Sequence, residues 1–354
     1  MLLSMLAVTT ACLRRELWVY TDEYRQVELY TDWSECPSRP GGMTAWFLSE
    51  EGDGRNRRIT TSDVSHSWLN LPRGLFTGII FDWSPAEFGS LVFTGMDRPE
   101  TALVKAAPSV NQPVENDELY GGRAVPAGMV VPLNDTTGFY TLLAAPDPMC
   151  ADTLKHVQII TGVEGDLIPW ETREEYEASL LTQTFECQPH PITWNLRVQV
   201  YVKGLKYLHS MKGTIAGLAD GNWLNELRHT ASPCLHPLES WSTQHFSDSL
   251  GVVSTSIHTF GLPEQELTKT EGYAVLPHLR LNLEFLLRDE ETILHFHFDV
   301  GEESVTIFED QLLVRIEIPI EWAPRLPYVD AKGSAGFDAK VTPWQNGGNI
   351  DVTM

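Results

Sequence analysis

The sequence predicts an all-β chain of layered β-sandwiches with few short helices. Three observations carry this: apolar side chains recur at every second position in run after run, clusters of Gly, Pro, Ser and Asp part the runs, and helical periodicity is scarce. Period two places alternate side chains on one face of a strand, and a sheet with one apolar face must cover it with another layer.

The elements follow in chain order. "RQVELYTDW", "MTAWFL" and "GLFTGIIFDW" read as short strands of a first half rich in turn chemistry. Ser84 can cap a single helical turn, with Pro85 in the first position and Glu87 three residues after the cap. The one longer helix candidate is "ETREEYEASLL", residues 171–181. The Pro-rich passage from Cys187 to Pro191 then breaks the pattern, which places a boundary between two domains, 12–187 and 188–354. "ITWNLRVQVYVKG" follows, with Trp194, Leu196, Val198, Val200 and Val202 on one face. "LRLNLEFLL" and "ILHFHFDV" alternate around the polar turn "RDEE" and predict an antiparallel hairpin with one wet face. "LLVRIEIPI" predicts an inward set of Leu312, Val314, Ile316, Ile318 and Ile320.

Composition limits the function classes. A chain of 354 residues, 42% hydrophobic and 10% aromatic, can bury a sizeable core and exceeds what one ordinary domain needs. Its net charge of −23, from 48 acidic and 25 basic residues, repels polyphosphate, and no basic patch interleaved with aromatics is present; nucleic acid is not an expected partner. After residue 12 no window approaches the ~20 apolar residues that cross a bilayer.

The beginning is different. Met1 to Ala11 carry no charge, and Leu2 to Val8 form an apolar run of about the minimum length for a secretory signal. Thr10, Ala11 and Cys12 then resemble a bacterial lipobox, in which the cysteine is lipidated and becomes the mature N-terminus. Thr9 stands where that pattern usually has leucine, and the missing basic n-region predicts a start upstream of Met1. A signal peptide over 1–11 and a lipid on Cys12 compete with a buried N-terminal strand carrying an ordinary core thiol; Arg14, Arg15 and the separate strand signal of Leu17 to Tyr20 favour the lipid. Cys36, Cys150, Cys187 and Cys234 show no C-x-x-C spacing, which excludes a zinc ribbon or thioredoxin motif; their even number allows disulfides without assigning them.

Three stretches, "CLRRELWVYTDEYRQVELYTDW", "LPRGLFTGIIFDWSPAEFGSLVFTGMD" and "RVQVYVKGLKYLHSMKGTIAGLADG", resemble a lipoprotein family of the Bacteroidales related to the fimbrillin-like proteins. The resemblance implies two tandem transthyretin-like, Greek-key β-sandwich domains and a lipid anchor in the outer membrane. It further implies a structural or adhesive role beside other fimbrial subunits. Shaft subunits of that group are cleaved after Arg or Lys and polymerise by strand donation, which marks Arg73 as a candidate cleavage point. In the same light "LPRGLFTGIIFD" reads as a hairpin entry relaxed by Gly74, and Gly217 in "GTIAGLADG" as a bulge. Asp135-Thr136-Thr137, Asp152-Thr153-Leu154 and Asp248-Ser249-Leu250 resemble the short O-glycosylation signal of exported Bacteroidales proteins, which gives Thr136, Thr153 and Ser249 as acceptors. The final segment, with alternating Ile350 and Val352 after "QNGGN", is a candidate donor strand that can fold back or reach outward.

Catalysis finds little support: there is no G-x-S-x-G elbow, H-E-x-x-H, P-loop or dinucleotide fingerprint. No cofactor or metal is expected. The one metal-like pattern is His295, His297 and Asp299 on the outward face of a strand, which solvated polar positions explain as well. The rival function is glycan binding. Trp18, Trp33, Trp46, Trp68, Trp83, Trp223, Trp241 and Trp344 exceed the needs of a small core, and exposed aromatics are the usual platform for sugar rings.

Overall fold

The computed structural model describes residues 24–109, 130–132, 139–159, 183–264, 279–300, 304–332 and 350–353. They form five β-sheets, joined among the described residues by turns and three-residue 3-10 segments. Sheet one has the order β11 (Gln183–Cys187), β1 (Tyr24–Thr31), β4 (His66–Pro72). Sheet two runs β12 (His190–Pro191), β10 (Cys150–Ile159), β5 (Gly74–Asp82), β2 (Met43–Ser49), β3 (Arg57–Thr61). Sheet three runs β16 (Arg228–His229), β15 (Gly221–Trp223), β7 (Leu103–Ala106), β6 (Leu91–Thr94). Sheet four is the widest: β24 (Ile350–Thr353), β21 (Ile293–Val300), β20 (Leu279–Leu287), β14 (Leu208–Ala219), β17 (Pro233–Leu238), β9 (Phe139–Leu142), β8 (Val130–Pro132). Sheet five runs β18 (Ser242–His245), β19 (Leu250–Thr259), β13 (Trp194–Lys203), β23 (Leu313–Ile318), β22 (Val305–Phe308).

Alternation fixes the layering. Sheet one turns Val27, Leu29, Leu69 and Leu71 onto Met43, Ala45, Phe47, Phe76 and Ile80 of sheet two, and all nine are buried in one cluster. The opposite parity of sheet two is apolar as well. Leu48, Ile79, Phe81 and Ala151 are buried in a second cluster with Leu91, Val104 and Ala106 of the third sheet. That cluster continues into the other sandwich, through Leu196, Val198 and Val200 of β13 and Leu281, Leu283 and Phe285 of β20. Sheet two is thus a double-faced layer, which explains the near-continuous apolar run of β5.

The passage between Cys187 and Pro191 separates β11 from β12, yet strands cross it in both directions. β7 pairs with β15, and β9 pairs in parallel with β17. Side chains repeat the link: Lys105 Nζ pairs with Asp220 Oδ2 at 2.7 Å, and the backbone N–H of Leu224 donates to the Ala102 carbonyl at 2.9 Å.

Several sequence expectations hold in the folded chain. Ser84 opens a single turn, in which its N–H donates to Glu87 Oε2 at 2.7 Å. β20 and β21 form the expected hairpin over "RDEE". Gly217 sits where the β14–β17 register shifts, at φ 98°, and is the expected bulge. Two expectations are corrected. "LPRGLFTGIIFD" is not a hairpin: β4 pairs in sheet one and β5 in sheet two, so the chain turns a corner between layers at Arg73 and Gly74. Gly74 has φ 147°, and a Cβ there would lie 3.1 Å from the Phe76 ring. The inward set of β23 is also shorter, because Leu312 is left-handed at φ 46° and Ile320 lies exposed beyond Pro319; Val314, Ile316 and Ile318 remain in the core. The helix candidate at 171–181 falls outside the described residues.

Candidate functional site

Among the described residues, the outward face of sheet one gathers exposed aromatic side chains: Tyr24, Tyr30 and Trp68, with His66 between the last two. Parity decides it: Val27, Leu29, Leu69 and Leu71 point to the core, so Tyr24, Gln26, Glu28 and Tyr30 on β1 and His66, Trp68 and Asn70 on β4 take the other face. Antiparallel register sets Tyr30 opposite His66 and Glu28 opposite Trp68. Parallel pairing with β11 adds Glu186 beside Tyr30 and Thr184 beside Glu28. Tyr30 and His66 stack at 4.4 Å between ring centroids, with Trp68 tilted beyond them at 5.7 Å. Trp68 is 51% exposed and Tyr30 40%.

Polar atoms are woven between the rings. The Tyr30 hydroxyl donates to Glu28 Oε2 at 3.2 Å, and His66 Nε2 lies 4.0 Å from the same oxygen. Desolvation, the bond to Glu28 and the Glu186 charge together push the Tyr30 phenol above its ordinary value. At the Tyr30 end the face opens into a shallow cleft of ≈ 490 Å³, where Asp32, Ser65, Asp152, Glu186 and Gln188 supply oxygen and amide groups. Backbone N–H groups hold two of these carboxylates: Ser34 donates to Asp32 Oδ1 at 3.0 Å and Gln188 to Asp152 Oδ2 at 2.8 Å.

A second feature is the edge of sheet four. The backbone of β24 lies parallel to β21, with Ile350 opposite Leu294 and Val352 opposite Phe296. The segment considered as a donor strand is therefore folded back on its own sheet in this structure.

The remaining sequence candidates scatter. Cys12 and Thr136, with Trp18 and Trp344, lie outside the described residues. Thr153 donates its hydroxyl to the Leu224 carbonyl from within β10, whereas Ser249 is exposed in the β18–β19 turn. The face expected to be wet at "HFHFD" is corrected at one position: Asp299 is exposed and His297 half-buried, but His295 is buried, 3.9 Å from Glu284 Oε2 on the neighbouring strand. His297 Nδ1 meets Asn282 Oδ1 at 2.9 Å, and Asp299 accepts from Arg280 Nε at 3.1 Å. Each of the three faces its own partner on β20, and no cluster of three or more metal-ligating side chains occurs among the described residues. The tryptophans divide too: Trp33 is buried, donating Nε1 to the Val64 carbonyl, and Trp46, Trp194 and Trp241 pack half-buried against the large core. Trp223 is half-buried, and Trp83 is exposed in a left-handed turn after β5. Trp68 thus stands out among them. Sequence reasoning missed its neighbours Tyr30 and His66; the signal was the alternation of "YRQVELYT" with "HSWLNLP", which needs the pairing to become a face.

Stacked β-layers, mostly antiparallel and with an aromatic outer face, define a β-sandwich protein. The chain belongs to the family described as a domain of unknown function, DUF5119, whose model matches residues 11–239. No curated protein matches it. Among solved structures, an adhesin candidate from Bacteroides ovatus superposes with a TM-score of 0.54 at 15% identity, covering 86% of this chain and 93% of its own, which shows the shared fold. The fimbrial anchor protein Mfa2 from Porphyromonas gingivalis aligns at 12% identity over 83% of this chain and 90% of its own, with a TM-score of 0.42.

Proposed function

We propose that the chain is a non-catalytic cell-envelope lipoprotein with a structural or adhesive role, acting as a fimbrial accessory or anchor subunit. Lipid on Cys12 ties it to the outer membrane, and β-strand addition joins it to other fimbrial subunits. The observation that carries this reading is the pairing of β24 with β21. A four-residue strand at the rim of a seven-stranded sheet leaves by breaking few hydrogen bonds, and the rim it vacates is a template for a neighbour's strand. The fold shared with the Bacteroides ovatus adhesin candidate supports the same assignment.

Truncation after Lys340 tests it. A variant that stays folded as a monomer but no longer copurifies with sheared surface fibres supports an exchangeable strand; one that unfolds, or one that remains in the fibres, refutes it. The anchor is tested separately by Cys12→Ala, which should move the protein from the membrane pellet to the soluble fraction. A mutant that still pellets at high salt refutes lipid anchoring.

A further inference from the structure

We infer that the outward face of sheet one is a binding site for a neutral polysaccharide, with Trp68 as the stacking surface and Glu28 as the principal hydroxyl acceptor. A pyranose offers an apolar C–H face and a rim of hydroxyl groups, so its receptor needs a flat exposed ring flanked by planar polar side chains. The face supplies both. Trp68, half exposed, is flanked on its own strand by His66 and Asn70, and across the ladder by Glu28 with Gln26 and Tyr30 as its neighbours. The Tyr30 bond to Glu28 and the Tyr30–His66 stack hold these groups in place before a ligand arrives, which lowers the ordering cost of binding. The adjoining cleft extends the surface along a chain longer than one ring.

Charge selects the occupant. The outward positions of β1, β4 and β11 carry two carboxylates, Glu28 and Glu186, and neither Lys nor Arg. Arg57 over the Tyr24 ring and Arg39 at Ser65 reach the margins from elsewhere, but Asp32 and Asp152 join Glu186 in the cleft, so the balance repels an acidic polymer and a second copy of a chain with net charge −23. Hydroxyl donors suit the carboxylates without that penalty. The inference is independent of strand addition, since sheet one and the rim of sheet four are different surfaces.

Affinity electrophoresis and tryptophan emission with laminarin, yeast mannan and arabinogalactan, against polygalacturonate as the acidic control, test the site on the purified full chain. At least one neutral polymer should bind and polygalacturonate should not. Trp68→Ala should weaken binding by roughly tenfold or more and Glu28→Gln by several-fold, while Trp322→Ala, exposed elsewhere, leaves it unchanged. Both face variants replace outward side chains and should keep the wild-type melting temperature; should Trp68→Ala lower it, Glu28→Gln together with Asn70→Ala provides the test. Absence of binding to all three neutral polymers, binding undiminished by the variants, or a preference for polygalacturonate would overturn the site.

Discussion

The backbone N–H of Cys150 donates to Asp82 Oδ1 at 3.0 Å, joining the first residue of β10 to the last of β5 across a buried sheet end. Asp82 is only 9% exposed, and burial pushes its carboxyl up to about 7, although the bond from Cys150 pulls the other way. The folded chain therefore keeps a proton that the unfolded chain, with a carboxyl near the ordinary ~3.9, has released. This part of the stability is full at low pH, falls as pH rises from about 4 to about 7, and amounts to on the order of 4 kcal/mol. Asp82→Asn keeps an oxygen for Cys150 and removes the charge. Its urea midpoint should lose this pH slope and exceed that of the wild type at about pH 8; an unchanged slope would contradict the assignment.

The Cys150 thiol is itself raised, first by its contact with the Cys36 thiol and then by burial. Burial pushes Cys187 up to about 12 and Cys234 well above the ordinary thiol value, so both are expected to be inert. Among the described cysteines Cys36 alone is partly exposed. Diamide should therefore link Cys36 to Cys150 before any other described pair. Closing a loop of roughly 100 residues should then stabilise the fold by up to about 5 kcal/mol. Peptide mapping that finds Cys187 or Cys234 in the first disulfide would refute this.

Gly217 holds the β14–β17 bulge in a conformation that side chains rarely adopt. Gly217→Ala should cost roughly 1–3 kcal/mol of stability by urea unfolding. A loss within the scatter of ordinary surface substitutions would mean that the bulge relaxes freely.

Modification in the native host should favour Ser249 over Thr153. The first is exposed in a turn, whereas the second spends its hydroxyl on Leu224 within a strand. Peptide mass spectrometry of the native protein checks the order, and a glycan on Thr153 without one on Ser249 would contradict it.

Alternation made the strands legible, because the parity of β13, β20 and β21 is a local property of the chain. Sheet membership was not. Leu71 and Phe76 are five positions apart yet lie in different sheets, since the corner at Arg73 and Gly74 looks in sequence like any tight turn. The same limit hid the aromatic face. Tyr30 and His66 are distant in the chain and become neighbours only through an antiparallel register that no local pattern states. His295 shows the converse: its parity is opposite to that of Phe296, as alternation implies, yet it alone on that face is buried, while His297 is half-buried and Asp299 exposed.

The strands shared between halves also bear on mechanics. A load drawn along the chain meets the β7–β15 and β9–β17 ladders before it can stretch the passage at residues 188–189. The two sandwiches cannot be pulled out one after the other like beads on a string. They are expected to let go together, at one high yield point in place of two low ones, with a lifetime under tension set by the unfolding rate.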